Sequence, residues 1–491
     1  MARRAERGTQ IWIGRLSKGG AIVVLACLGV VAALLLAIAI ALVPARIGGI
    51  FNDGWNAYAA ERAFGEGPLY PKPSSLVTNN YPPLSYYIVG GLGLLLGDQI
   101  VAGRAVSVAS LGIVALLLGG IVLRTTGSLL LAAWAAAVFL GFVAIRYPAY
   151  LVINDPQWLA NACMTGGLLV FLSGPPRTGR LVAALSLLVA GGLVKHNPLG
   201  VPLAITVWLL WHDRPGLRVW LVACISSLVS VALVLYAAFG PDVFLGIFAT
   251  PRLYSLHFLW PKLEFWSPPL LPFLAASVVL GVLARRDRVA RLVGLYVVLA
   301  GVWGAAALGG AGVNCNVLFD LVIAATIASA LAVDRLAERA RAMGGPADAV
   351  RAGTLALLSL PVLLPAPGAI TRTRSEAKFL PFTVATTEAD VAFLAARDGP
   401  ALCDRPALCY WAGKPFEVDL FNVSQRLRKG TLDPEVLADL FEQEHFAVLQ
   451  LKEINPALPE SALEQVRRHY EITRRRPGWV FMVRRGGGTD P

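Results

Sequence analysis

Charge is scarce in this chain: Asp, Glu, Lys and Arg make up 15% of its 491 residues, against 56% hydrophobic. That balance excludes an ordinary soluble domain, which would carry many more charges. No HExxH, CxxC, GxSxG or P-loop pattern occurs, so zinc-dependent hydrolysis, dithiol exchange, serine hydrolysis and nucleotide hydrolysis are without support. There is no repeat of fixed period and no inverted duplication of the kind many transporters carry. Of only six cysteines, Cys27, Cys163 and Cys224 lie inside apolar runs and Cys315 lies beside one, as small hydrophobes. Cys403 and Cys409 sit close together outside such runs and would form a disulfide in an oxidising compartment, or remain free thiols otherwise.

What is abundant is apolar sequence in long stretches. A basic N-terminus leads into 21–43, a run long enough to span a bilayer, and further runs lie at about 100–123, 128–145, 157–173, 180–194, 198–211, 217–238, 268–284, 290–308, 317–333 and 352–367. This predicts a polytopic α-helical membrane protein with about 11 transmembrane helices. The net charge of +12 falls largely on the connectors, with Arg124, Arg177, Arg180, Arg214, Arg218, Arg285, Arg286, Arg288, Arg291, Arg335, Arg339, Arg341 and Arg351 alternating with Arg-poor connectors. Such alternation puts the Arg-rich side and the N-terminus in the cytoplasm and argues against nucleic-acid binding. The run 84–96 is too short to cross and reads as a helix in the outer leaflet, started by Pro82 and Pro83.

Residues 1–375 therefore read as a membrane domain, with a first extracytoplasmic loop at 46–99 and a second long one at 239–267. After about 376 the apolar runs shrink to four or five residues, as in AVLQL and WVFMV, and alternate with helical stretches such as PEVLADLFEQEHF and ESALEQVRRHY. Residues 376–491 thus read as a small extracytoplasmic mixed α/β domain ending in a GGGTDP tail.

The same topology collects polar residues on one face: Asp53 in FNDGW, Asp155 in INDPQW, Lys195 and His196 in LVKHNPLG, Arg252 and His257 with Lys262 and Glu264 in the 239–267 loop, and Asn314, Asn316 and Asp320 in GVNCNVLFD. Each also has a plain structural reading. Lys195 is either a phosphate ligand or a snorkelling lysine in a helical hairpin, and His196 either assists it or fills a structural role. Tyr81, Trp55 and their aromatic neighbours either stack on substrate or form an interfacial belt. The 239–267 loop either closes over substrate or lies as an amphipathic helix in the interface. Asn314, Asn316 and Asp320 either line a cavity or hydrogen-bond between helices. Acids, one lysine and aromatics at a membrane face suit group transfer from a lipid-linked donor: a carboxylate deprotonates the acceptor, a cation holds the departing phosphate, and rings hold a sugar.

Asp53 on the first loop, ERAFGEGPLY, YPPLSYY, the GD-x5-R ending at Gly97, Asp98 and Arg104, Asp155, GGLVKHNPLGVPLA and GVNCNVLFD come in an order that resembles the GT-C fold membrane glycosyltransferases. The likeness is in particular to family 39, protein-mannosyltransferase-like and aminoarabinose-transferase-like bacterial members, and covers about the first 335 residues. The resemblance implies a polyprenyl-phosphate sugar donor, a lipid, glycan or protein acceptor, inverting transfer at the extracytoplasmic face of a bacterial inner membrane, Asp53 as catalytic base and Asp155 as a second acid. It also implies Lys195 at the donor phosphate; His196 beside that phosphate, and Tyr81, Trp55, Arg252, His257, Asn314 and Asn316 as substrate contacts, are candidates read from the residues themselves. Some members carry an acidic pair on the first loop; here Asn52 and Gly54 flank Asp53, so no metal is expected to be required, although a divalent cation stays open. The competing readings are a transporter or flippase of lipid-linked or small solutes, and a non-catalytic scaffold for surface-polysaccharide assembly.

Overall fold

The computed structural model describes residues 2–454 and 457–486; of the expected tail, 487–491 lie outside the described residues. Sixteen helices come first in the chain: α1 (Ala2–Leu42), α2 (Phe51–Arg62), α3 (Leu84–Leu96), α4 (Gln99–Thr126), α5 (Leu129–Arg146), α6 (Gln157–Leu172), α7 (Thr178–Val194), α8 (Gly200–His212), α9 (Arg214–Phe239), α10 (Asp242–Ala249), α11 (Leu256–Trp266), α12 (Leu271–Leu283), α13 (Arg288–Ala307), α14 (Phe319–Ala342), α15 (Ala347–Leu363) and α16 (Ala366–Ala395). A helix forms at every one of the eleven long apolar runs. Among the described residues seven helical segments are long and apolar enough to cross a membrane, and the bent pair α11 and α12 makes an eighth. The shorter apolar helices are α3, α6, α7 and α8. The chain is a multi-pass helical membrane protein.

α14 is the hub of the bundle. Its apolar window is 94% buried, against 6% for α9. The reason is side-chain size: small residues (Ala324, Ala325, Thr326, Ala328, Ser329, Ala330) let α5, α12, α13 and α15 approach its backbone closely. α9 instead turns Val222, Ile225, Leu228, Leu233 and Val234 outward, an apolar surface suited to lipid. The 239–267 stretch, read either as a loop that closes over substrate or as an interfacial helix, contains two helices, α10 and α11.

α16 runs unbroken past residue 376 and carries the chain into the C-terminal α/β part. There follow β1 (Ala401–Cys403), α17 (Pro406–Trp411), α18 (Leu420–Arg428), α19 (Glu435–Glu442), β2 (Val448–Lys452), α20 (Glu460–His469), β3 (Tyr470–Arg476) and β4 (Trp479–Arg484). The sheet order is β1-β2-β4-β3, with β1 parallel to β2 and the other pairs antiparallel. Tyr470, expected at the end of a helix, begins β3. Leu437, Phe441, Phe446, Leu449 and Val466 pack this core. Asp390 of α16 pairs with Arg474 (3.0 Å) and Arg476 (2.8 Å) of β3 and ties the sheet to its supporting helix.

Candidate active site

α2 positions the site because its two sides have different duties. On one side Asp53, 1% exposed, accepts from Arg104 Nη2 at 2.6 Å and, through its other oxygen, from the Asn154 backbone N–H at 2.7 Å. Arg104 is fixed in turn by the carbonyls of Ala45 (2.6 Å) and Ile47 (3.1 Å). The GD-x5-R segment makes this possible: Gly97 ends α3 at φ 75°, Asp98 caps α4 by accepting from the Ile100 and Val101 N–H groups, and Arg104 then lies on the second turn facing α2. Burial pushes the Asp53 carboxyl above its ordinary value, while Arg104 and the Asn154 N–H pull it back.

The second acid is bound to the first through its neighbours. Asn52 Nδ2 donates to Asp155 Oδ2 at 2.7 Å, and Asn154 Nδ2 donates to the Asp53 carbonyl at 3.1 Å. Two Asn-Asp dipeptides, 52–53 and 154–155, thus hold each other reciprocally. Asp155 Oδ1 also accepts from the Gln157 N–H (2.8 Å) and from Lys195 Nζ (2.8 Å). Lys195 sits where α7 ends, fully enclosed, with its ammonium 4.7 Å from the Tyr81 ring centroid. Burial opposes its charge, but Asp155 and Tyr81 hold its pKa above the ordinary lysine value. With its amide turned to satisfy both ends, Asn316 offers its oxygen to Lys195 Nζ at 3.2 Å and its nitrogen to the Asn314 carbonyl at 3.0 Å.

The remaining expected residues divide into two groups. Trp55 packs edge to face on Tyr81 (5.1 Å) beside Lys195, and Arg252 lies near enough for its charge to act on Tyr81 and His196 while its guanidinium covers Phe421 (5.8 Å). Asn314 caps the turn at Cys315, accepting from its N–H at 2.7 Å. By contrast, His257 is exposed on α11 with its ring against Phe258, and no hydrogen bond joins it to either acid. His196 is exposed beside Phe248 and makes no hydrogen bond to Asp155 or Asn316. Lys262 donates to the carbonyls of Leu308, Gly310 and Val313 (3.0, 3.2 and 2.7 Å), so it holds the end of α13. Asp320 accepts from Tyr296, Asn161 and the Gly200 N–H, each at 3.1 Å, and so ties α6, α8, α13 and α14 together. Among the described residues no group of three or more His, Cys, Asp or Glu side chains converges as a metal site would require.

On its other side α2 carries the C-terminal part. Trp55 Nε1 donates to Asp419 (3.0 Å), Tyr58 OH to the Lys414 carbonyl (2.7 Å) and Arg62 to the Phe416 carbonyl (2.9 Å), a stripe at i, i+3 and i+7. Gly54 is essential to this seat: a Cβ there would fall 2.2 Å from the Ala407 nitrogen of α17. The base of α17 is closed by the Cys403–Cys409 disulfide. Sequence reasoning missed Arg104 as a partner of Asp53, the roles of Asn52 and Asn154, and Gly54. The Gly-Asp…Arg motif had singled out Arg104 without linking it to Asp53, and the repeated Asn-Asp dipeptide was the signal for Asn52 and Asn154.

These elements define a GT-C type membrane fold. In particular, the chain is similar to ArnT from Cupriavidus metallidurans bound to undecaprenyl phosphate (TM-score 0.59, 14% identity, covering 96% of this chain and 99% of that one). The apo state of the same ArnT gives a TM-score of 0.57 at 15% identity, covering 92% and 97%. The oligosaccharyltransferase of Archaeoglobus fulgidus in its apo form is similar at a TM-score of 0.53 and 10% identity, over 88% of this chain and 69% of that one. No family model matches the chain, and no curated protein sequence does. At these identities the likeness is one of fold.

Proposed function

We propose that this protein is an inverting glycosyltransferase that moves a sugar from a polyprenyl-phosphate donor to an acceptor at the extracytoplasmic face of a bacterial inner membrane. The observation that carries the reading is the reciprocal Asn-Asp lock, which sets a buried carboxylate, Asp53, beside a second carboxylate that anchors a buried ammonium, Lys195. The GT-C fold supports it, as does the undecaprenyl phosphate bound by the similar ArnT. In this reading residues 1–375 form the membrane domain, with a cytoplasmic N-terminus, and 376–491 form an extracytoplasmic domain.

The chemistry is a single displacement. Asp53 takes the proton of the acceptor hydroxyl; the acceptor oxygen bonds to the anomeric carbon as the bond to phosphate breaks, and the electron pair leaves on the polyprenyl phosphate. A carboxylate offers about four lone-pair sites, so Asp53 keeps acceptor capacity beyond the bonds from Arg104 and Asn154. Lys195 stabilises the departing phosphate, with Arg252 adding a second cation; His196 and Asn316 lie along this path, and Tyr81 and Trp55 offer ring faces to the sugar. His257, on the outer helix α11, would contact only a substrate reaching that far.

The test restores cells lacking the protein with wild type or with Asp53→Asn. Wild type is expected to return a missing surface sugar, while Asp53→Asn, at equal expression, leaves it missing and a lipid-linked sugar accumulates. Full restoration by Asp53→Asn would overturn the assignment and favour a transporter or scaffold.

A further inference from the structure

A cavity of about 710 Å³ lies between α2, the turn joining α3 to α4, and the segment that follows α17. It is separate from the acid–cation pairs by simple helix geometry. At about 100° per residue, Asn52, Asp53 and Asn56 occupy one arc of α2, whereas Tyr58, Glu61 and Arg62 occupy an arc roughly opposite. The cavity opens on the second arc. Its volume falls in the range of small-molecule sites, about 300–1,000 Å³.

Its walls combine ring faces with charged side chains that make no hydrogen bond or salt bridge among the described residues. Tyr58 is stacked on Phe416 (centroids 4.9 Å apart, 12° between planes) and meets Tyr410 edge-on at 5.2 Å. Trp411 is pinned by its Nε1 to Asp98 at 2.9 Å, with the Arg46 guanidinium 6.0 Å from its ring. The other charged groups around the cavity are engaged: Arg62 and Lys414 donate to backbone carbonyls, and Glu417 meets His445 at 2.6 Å. Glu61, Glu66 and Arg46 differ. All three are exposed at the rim, and none makes a side-chain hydrogen bond or salt bridge among the described residues.

We propose that this cavity is a carbohydrate-binding site, distinct from the catalytic one, for about two or three rings of an uncharged oligosaccharide. The chemistry selects that class. Sugar C–H faces pack on aromatic rings, here Trp411 and Tyr410, while hydroxyls donate to the Glu61 and Glu66 carboxylates and accept from Arg46. Acids and a base at one rim leave no strong net field, which disfavours a polyanion such as nucleic acid. Because the walls come from both the membrane bundle and the C-terminal part, a bound glycan bridges the two. This inference goes beyond sugar transfer and does not require it.

The experiment reads binding directly. Full-length protein in nanodiscs is applied to a microarray of cell-envelope oligosaccharides and plain hexose oligomers, alongside Glu61→Gln/Glu66→Gln, Trp411→Phe, Lys195→Met and Asp53→Asn. Wild type, Lys195→Met and Asp53→Asn should retain at least one oligosaccharide family. The double Gln variant, altered only at two exposed side chains, should lose affinity about tenfold, and Trp411→Phe should weaken it less. Retention of no glycan by wild type overturns the proposal. So does equal retention by the double Gln variant, and so does binding that disappears in Lys195→Met but survives in the double variant, which would assign the sugar to the catalytic cavity.

Discussion

Asp53–Arg104 and Asp155–Lys195 are both acid–cation pairs sealed from solvent, 2.6 and 2.8 Å long, but their cations are held very differently. Arg104 is enclosed by backbone carbonyls, which no ligand can displace without moving the chain. Lys195 has one charged partner, and its other neighbours are an aromatic face and an amide oxygen, both weak enough to yield to a phosphate. The first pair fixes geometry and the second keeps a charge available. Arg suits the former because its planar fork presents several donors in set directions, and Lys suits the latter as a compact point charge.

The largest expected effect breaks the first pair. Arg104→Ala leaves Asp53 as an uncompensated buried charge and strips donors from Ala45 and Ile47, at a cost of about 3–5 kcal/mol. The check is thermal unfolding in detergent at neutral pH. A loss no greater than that of a surface Arg→Ala control would show that the pair is not structural.

A third buried acid sharpens the comparison because all its hydrogen-bond donors are neutral. Asp419, 0% exposed, accepts from the Asn422 N–H, Asn422 Nδ2 and Trp55 Nε1. Burial pushes its carboxyl up to about 6 despite those donors. A raised carboxyl pKa means the folded state prefers the proton. The associated stability is present below about pH 4, the ordinary Asp value, and is lost as pH rises through 6, by up to about 3 kcal/mol. Melting of wild type should therefore fall across pH 4 to 6.5 by more than melting of Asp419→Asn; parallel curves would remove Asp419 as the cause.

Gly54 connects both pairs to the C-terminal part. Gly54→Ala places a methyl against the backbone of α17, an overpacking worth about 1–3 kcal/mol, and should tilt α2 so that both pairs lose register. Limited proteolysis should then release the C-terminal part sooner than in wild type. Unchanged proteolysis would mean that α17 yields instead.

Much of the architecture was legible in the sequence because an apolar run of sufficient length has few fates in a bilayer, and all eleven runs are helices. AVLQL and WVFMV became β2 and β4 because short apolar runs flanked by turns suit strands. Asp53, Asp155 and Lys195 stood out as charges beside apolar segments. Which residues pair with which did not. Arg104 lies 51 residues from Asp53, Asn154 lies 101 residues away, and Trp55 reaches Asp419 across 364 residues. Such pairings are decided by how helices pack, and no local pattern reports them. Lys262 is the converse case: the sequence placed it on a stretch that either closes over substrate or lies as an interfacial helix, and three helix-end carbonyls within reach gave it a capping role.

The smallest expected effect tests the available charge. Lys195→Met keeps the length of the side chain and removes the ammonium, and Asp155 retains its hydrogen bonds from Asn52 and the Gln157 N–H. Stability should fall less than in Arg104→Ala, because no backbone carbonyl loses a donor. Binding of undecaprenyl phosphate, followed by tryptophan fluorescence in detergent, should weaken about tenfold, or about 1.4 kcal/mol, since in the proposed reading Lys195→Met removes one of two cations at the phosphate and leaves Arg252. If Lys195→Met unfolds the protein as readily as Arg104→Ala, both pairs are structural. If it binds the lipid phosphate as tightly as wild type, Arg252 carries that contact, and Lys195 serves only to place Asp155.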